Sequence, residues 1–180
     1  MKTVRLYGMD YKGCMSCMAC KVKDKASNVC KFRDDLTPLL EEISQADGLV
    51  MGSPIYFSEV TAQLRALLER LVFPWLSYND YSLTAPKRMP VILTYTMNAN
   101  AEQAQGVYQS MGIIEHCLNT AMGDVEHVDA LNTYQVKNYD RYVLAGFSEV
   151  AKREYRDHNW ENDLQRAHDA GRRMAKKILS

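Results

Sequence analysis

The run Gly48-Leu-Val-Met-Gly-Ser-Pro-Ile-Tyr-Phe-Ser-Glu-Val-Thr-Ala-Gln-Leu-Arg-Ala-Leu-Leu-Glu-Arg-Leu71 reads as a strand, a loop and a helix in succession. Gly48 to Met51 is short, apolar and partly β-branched, the pattern of a strand buried on both faces. Gly52-Ser-Pro then breaks it, and Ser58 suits the N-cap of the following helix. Val60, Leu64, Leu67, Leu68, Leu71 and Val72 recur at helical spacing, with Glu59, Gln63, Arg65 and Glu69 mostly off the apolar stripe. In an open parallel sheet the ligand crevice lies beyond the carboxyl ends of the strands. Ser53 to Ser58 therefore belong to a crevice.

Working outward, Thr3 to Tyr7 alternates enough for an edge strand, and Asp10 to Arg33 has no apolar period of any kind. Asp34 or Asp35 can cap a helix with Leu36, Leu39, Leu40 and Ile43 inward; Pro38 falls in its first turn. Downstream, Phe73 to Pro86 is aromatic and irregular, which suits a lid or a subunit contact. Val91 to Thr96 is a second buried strand, ending in Met97-Asn-Ala-Asn-Ala at another carboxyl end. A helix from about Glu102 to Met122 turns Val107, Met111, Ile114, Leu118 and Met122 to one side, and Gly123 ends it. Val125 to Leu131 is a weaker strand, and Asp140 to Arg156 reads as partly helical. Asp163 to Leu179 is an amphipathic closing helix with Leu164, Ala167, Gly171, Met174 and Ile178 inward. Alternating strands and helices predict an α/β fold: a three-layer, doubly wound parallel sheet, with residues 1–180 forming a single domain.

Lys plus Arg and Asp plus Glu both total 22, so no net field favours nucleic acid or anionic lipid. The longest apolar runs fall short of a membrane span, and Met1-Lys-Thr-Val-Arg lacks a secretory apolar core; a cytoplasmic location is expected. Of five cysteines, four cluster between Cys14 and Cys30, a distribution that suits a cofactor site better than a disulfide framework. Their spacing is Cys14-x2-Cys17-x2-Cys20-x9-Cys30. Two consecutive x2 gaps resemble the start of a ferredoxin-type run, whereas structural zinc prefers two separated pairs, so a four-iron four-sulfur cluster is the better metal expectation. Lys12, Lys21, Lys23 and Lys31 would help hold thiolates deprotonated. The plainer reading is a surface loop of reduced thiols. The four histidines share no ligand spacing, no Ser-His-Asp set appears, and Lys152-Arg-Glu-Tyr-Arg reads as a solvated face.

Ala46-Asp-Gly-Leu-Val-Met-Gly-Ser-Pro-Ile-Tyr-Phe57, followed by Leu64-Arg-Ala-Leu-Leu-Glu-Arg70 and preceded by the Cys-rich loop, resembles the flavodoxin-like NAD(P)H-dependent FMN reductases, in particular their iron-sulfur flavoprotein branch. The resemblance runs from about residue 3 to residue 120. It implies a flavodoxin-like fold and an FMN-dependent oxidoreductase taking electrons from NAD(P)H, or from a carrier through a cluster on Cys14, Cys17, Cys20 and Cys30. It also implies that the isoalloxazine ring rests on Ser53, Pro54, Ile55, Tyr56 and Phe57, and on Thr96, Met97 and Asn98. An apolar slot edged by backbone donors and acceptors is what such a ring needs, and no side-chain acid or base is nominated. The partners implied are a small-molecule electron acceptor and a second copy in a homodimer, with no nucleic acid and no membrane. Iron-sulfur flavoproteins have a shorter last gap than the nine residues before Cys30. The family's first strand, its phosphate-holding Gly-Ser-Pro-Arg type loop and its first helix also have no counterpart in this sequence, which begins at what reads as the second strand. The alternative is a truncated, non-catalytic flavodoxin-like module that binds a partner or metal through its Cys loop.

Overall fold

The computed structural model describes Met1–Ser180. Its sheet has four strands, β1 (Leu49–Tyr56), β2 (Glu59–Val60), β3 (Met89–Thr96) and β4 (Gly123–Ala130), in the order β2-β1-β3-β4. β1 and β4 flank β3 in parallel, with Leu49 opposite Val91, Pro54 opposite Thr96, and Thr96 opposite Ala130. β2 folds back antiparallel on the end of β1 through Ile55–Val60 and Tyr56–Glu59. The helices are α1 (Leu36–Gln45), α2 (Ala62–Val72), α3 (Ala101–Met122) and α4 (Glu149–Leu179).

Strand residues alternate between two faces. Met51, Val91, Leu93 and Tyr95 join Leu36, Leu40, Leu64, Leu68, Met111 and Leu118 in the main core, so α1, α2 and α3 cover one face. Ile92 and Val128 point the other way, onto Ala170 and Met174 of α4. The result is the expected three-layer α/β architecture. The helix from Ala101 to Met122 forms as its period predicts, opened by a reciprocal Asn100–Gln103 capping box and closed by Gly123 at φ +104°, where glycine carries no steric penalty.

Several expectations are corrected. Thr3 to Tyr7 is not a strand: the segment is irregular with one short 3-10 turn at Leu6–Gly8, since no neighbour offers it a ladder of backbone partners. β1 does not stop at Gly52 but runs to Tyr56, and it is not buried on both faces. Met51 and Ser53 are buried, while Val50 is 57% exposed and Gly52 and Pro54 are exposed as well. The reason is that α4 packs chiefly on β3 and β4, and Ile178 and Met174 fill the space beside Gly48, just before β1 begins. From Leu49 to Pro54 the outer edge of β1 has no strand beside it. Ser58 does not cap α2: it sits in the hairpin turn at φ +63°, and Thr61 is the N-cap, accepting from the Leu64 amide at 3.4 Å. The closing helix is longer than expected, running from the Ser148 cap through 31 residues, and its buried residues are Lys152 and Ala170. Of its expected inward positions, Leu164 is 51% exposed, Ile178 is 41% exposed, Ala167 and Gly171 are exposed, and Met174 is half-buried. No helix is long and apolar enough to cross a membrane.

Candidate functional site

The carboxyl ends of β1 and β3 lie side by side, with Pro54 and Thr96 directly opposite in the parallel ladder. The two stretches expected to meet a ring therefore come together. Their side chains divide sharply. Ser53 is 5% exposed and Met97 is buried in the core. The Ser53 hydroxyl donates to the Pro54 carbonyl at 2.7 Å and accepts from the Thr61 amide at 3.0 Å, so it pins the end of β1 to the start of α2. The Ser53 and Met97 side chains are thus withheld from a ligand in the crevice. Pro54, Tyr56, Phe57 and Thr96 are exposed, and Ile55 and Asn98 are half-buried. Phe57 is fully exposed at φ +53°, followed by Ser58 at +63°. Two consecutive left-handed residues make the tight turn that a right-twisted hairpin prefers. A bulky aromatic held there costs about 1–2 kcal/mol, and such strain gathers where a side chain is being presented.

The turn after β3 is tied to the turn after β4. Met97 donates from its amide to Ala130 at 3.0 Å, Thr133 donates to Met97 at 3.0 Å, and Asn132 donates to Ala99 at 2.9 Å. Lys152, expected on a solvated face, is instead 6% exposed beneath this junction. Its ammonium donates to the Asn98 carbonyl at 3.1 Å and to the side-chain oxygens of Asn98 and Asn132. Burial pushes its pKa down.

The cysteine loop docks at the far end of α2. Cys14, Cys17, Cys20 and Cys30 all line one cavity of about 20 Å³ with Phe73, Pro74 and Arg70. Arg70, 1% exposed, organises the loop. It forms an ion pair with Asp34 and donates to the Phe32 carbonyl at 2.7 Å, the Lys12 carbonyl at 3.2 Å and Cys30 Sγ at 3.4 Å. Burial opposes its charge, yet the bonds to Asp34 and Cys30 hold its pKa above the ordinary value. Glu69 accepts from the Cys14 amide at 3.1 Å, and Trp75, buried under the loop, donates from its indole nitrogen to Asn28 at 3.0 Å. The first part of the aromatic stretch is therefore a floor for the thiol loop, and Tyr78 and Tyr81 remain exposed. Burial raises the Cys20 thiol against the lowering pull of Lys21. Lys21 itself donates to the Pro74 and Leu76 carbonyls, and Lys31 to the Lys25 carbonyl. The four thiols thus share one cavity wall beside a guanidinium. As placed they line the cavity without converging: no three metal-ligating side chains in the chain stand close enough to hold an ion.

A second polar cluster lies between α3 and β4. His127 has Glu115 at 3.7 Å and Asp129 at 3.6 Å, and its ring stacks on Tyr108 with centroids 5.2 Å apart. Tyr95 donates to Glu115 at 2.9 Å and Tyr108 to Asp129 at 2.6 Å. The Glu115 bond raises the His127 pKa against the effect of burial, and His127 in turn lowers that of Glu115.

Sequence reasoning missed Arg70, Lys152 and His127. Arg70 carried a detectable signal, since it sits beside Leu67 and Leu71 on the inward side of α2, where an unpaired charge is not tolerated. The partners of Lys152 come from other elements, so nothing local pointed to it, whereas Asp129 lies two residues from His127 on the same face of β4 and was a readable signal.

The family of NADPH-dependent FMN reductases matches residues 3–136. The chain belongs to that family. An iron-sulfur flavoprotein of Archaeoglobus fulgidus is 30% identical over 126 residues, covering 70% of this chain and 57% of that protein. The iron-sulfur flavoprotein of Methanosarcina thermophila is 26% identical over 152 residues, covering 84% of this chain and 74% of its own. Against the first of these relatives, the matched part of this chain spans little more than half the relative's length. Among solved structures, the NAD(P)H:quinone oxidoreductase from Methanothermobacter marburgensis superposes with a TM-score of 0.53 at 18% identity, over 81% of this chain and 66% of that one. That likeness supports the flavodoxin-like fold.

Proposed function

We propose that this FMN reductase family member is an FMN-dependent oxidoreductase whose flavin ring rests on the paired turns Pro54–Phe57 and Thr96–Asn98. The observation carrying this reading is the parallel register that sets Pro54 beside Thr96 at the carboxyl ends of two neighbouring strands, the place where open α/β sheets bind ligands. When bound, FMN supplies hydride and one-electron chemistry. The chain's own contribution is geometric: exposed Tyr56 and Phe57 cover an aromatic ligand, and Lys152 braces the second turn. NAD(P)H is the donor by family, and the acceptor is a small oxidised molecule. A second copy is the natural partner for the exposed Tyr56-Phe57 hairpin, giving a homodimer.

Cys14, Cys17, Cys20 and Cys30 would hold a four-iron four-sulfur cluster, with Arg70 beside Cys30 offsetting its negative charge. The relatives' name, iron-sulfur flavoprotein, supports this. Along α2, the Thr61 cap beside the ring turns and Arg70 beside the thiols are separated by nine residues, roughly 13 Å at 1.5 Å per residue. Anaerobic purification followed by iron, sulfide and flavin analysis tests both cofactors separately. Bound FMN and four irons per chain support the full reading, and a colourless, iron-free protein that takes up neither on reconstitution overturns it.

A second reading has its own observation. The edge of β1 from Leu49 to Pro54 lacks a partner strand and half of one sheet face is bare, which favours a flavodoxin-like module that docks a partner and binds no flavin. Saturable FMN binding separates the two.

A further inference from the structure

Lys152 breaks three rules at once. It is buried, although Lys is rarely so unless paired with a carboxylate. Its hydrogen-bond partners are neutral amide oxygens, and no acid lies close enough to pull its pKa upward. It also stands in the first turn of α4, where the helix dipole disfavours a cation. Local rules broken together are expected at functional sites.

What the ammonium does is join two turns. One contact is the Asn98 carbonyl, another the Asn98 side chain, and the third the Asn132 side chain, which use all three of its protons. Asn98 ends the turn beyond β3, and Asn132, at φ +50°, shapes the turn beyond β4. The backbone bonds from Met97 to Ala130 and from Asn132 to Ala99 close the same junction from above. We propose that Lys152 is the positioning residue of the ring-binding turn, clamping Asn98 to Asn132 and leaving an unneutralised positive charge beneath the flavin. This rests on Thr96–Asn98 being a ring contact. A cation there favours the more negative, reduced flavin over the oxidised one, by the same logic that lets a nearby cation favour an anionic side chain.

The test uses the full chain and three substitutions, Lys152→Met, Lys152→Arg and Asn132→Asp. In flavin-free protein, Lys152→Met speeds amide hydrogen exchange at Met97, Asn132 and Thr133 at least tenfold, and Lys152→Arg restores most of the protection. With FMN bound, Asn132→Asp keeps the protection but pairs the ammonium with a carboxylate. It lowers the ratio of reduced to oxidised flavin affinity about tenfold, a fall of about 30 mV in the two-electron midpoint. Should Lys152→Met not fold, the Asn132→Asp potential decides. Unchanged exchange in a folded Lys152→Met protein overturns the clamp. An unchanged midpoint in Asn132→Asp overturns the charge. Failure of the unsubstituted protein to bind FMN overturns the proposed function instead, and the exchange measurement still decides whether Lys152 holds the two turns.

Discussion

Replacing Arg70 with Met tests how the thiol loop is held. The guanidinium is 1% exposed and the Asp34 side chain 13%. Its removal leaves that carboxylate without a countercharge, held only by the Leu36 amide at 3.1 Å and the Lys12 amide at 3.4 Å, and takes the donor from the Phe32 and Lys12 carbonyls. Breaking a buried ion pair from one side costs roughly 3–5 kcal/mol. The residual exposure of Asp34 argues for the lower end, about 3 kcal/mol, which for a chain of this size lowers the thermal midpoint by about 6–12 °C. Removing both charges, Arg70→Met with Asp34→Asn, recovers part of the loss, because no unpaired carboxylate is left behind. Arg70→Lys keeps the charge but loses the fork that reaches four acceptors, and falls between. The assay is urea unfolding followed by far-ultraviolet dichroism, with thiol labelling of the native protein in parallel. Arg70→Met should also make Cys30 label faster, since the Nε bond to its sulfur is gone. A stability within about 1 kcal/mol of the unsubstituted chain, within the range of an exposed pair, together with unaltered labelling, would refute the reasoning.

Other perturbations follow from the same geometry. Ser53→Ala leaves the buried Thr61 amide without its acceptor and costs about 1–3 kcal/mol, while Thr61→Ala removes the α2 cap for about 1 kcal/mol; urea midpoints measure both. Phe57→Gly relieves a left-handed aromatic and stabilises the chain by about 1 kcal/mol, yet weakens FMN binding, an opposition that calorimetry and flavin fluorescence read together. His127 has a raised folded-state pKa, so its contribution is fully present below the ordinary value and disappears as pH rises through the raised one. Glu115 has a lowered one, so its contribution is present above the ordinary carboxylate value and is lost as pH falls through the lowered one. Stability therefore peaks between these two limits, and His127→Gln removes the alkaline decline; urea midpoints across pH 4–9 check it.

Much of this was legible in the chain, and the misses share a cause. The strand expected over Val91 to Thr96 and the helix expected from about Glu102 to Met122 follow from local period and the terminal Gly123, and they form as Met89–Thr96 and Ala101–Met122. Leu164 and Gly171 carry the right spacing to be buried but are exposed, because spacing reports a stripe and not whether anything covers it. β1 failed for the same reason: an apolar run looks identical whether one face or both are packed. Ser58 lost the cap to Thr61 because the Ser53 hydroxyl, eight residues away from Thr61, fixes where the helix begins. The crevice was readable because Pro54, though inside the strand, is where the pairing of β1 with β3 ends, whereas Arg70 and Lys152 take their meaning from carbonyls 38 to 58 residues away.

The central claim is that FMN sits against the ends of β1 and β3. Titrating the purified chain with oxidised FMN while following amide exchange measures it directly. The prediction is saturable quenching of flavin fluorescence, accompanied by slower exchange at Ile55 to Phe57 and at Met97 to Ala99. Quenching that fails to saturate, or saturable binding that leaves those two turns exchanging as before, would contradict it.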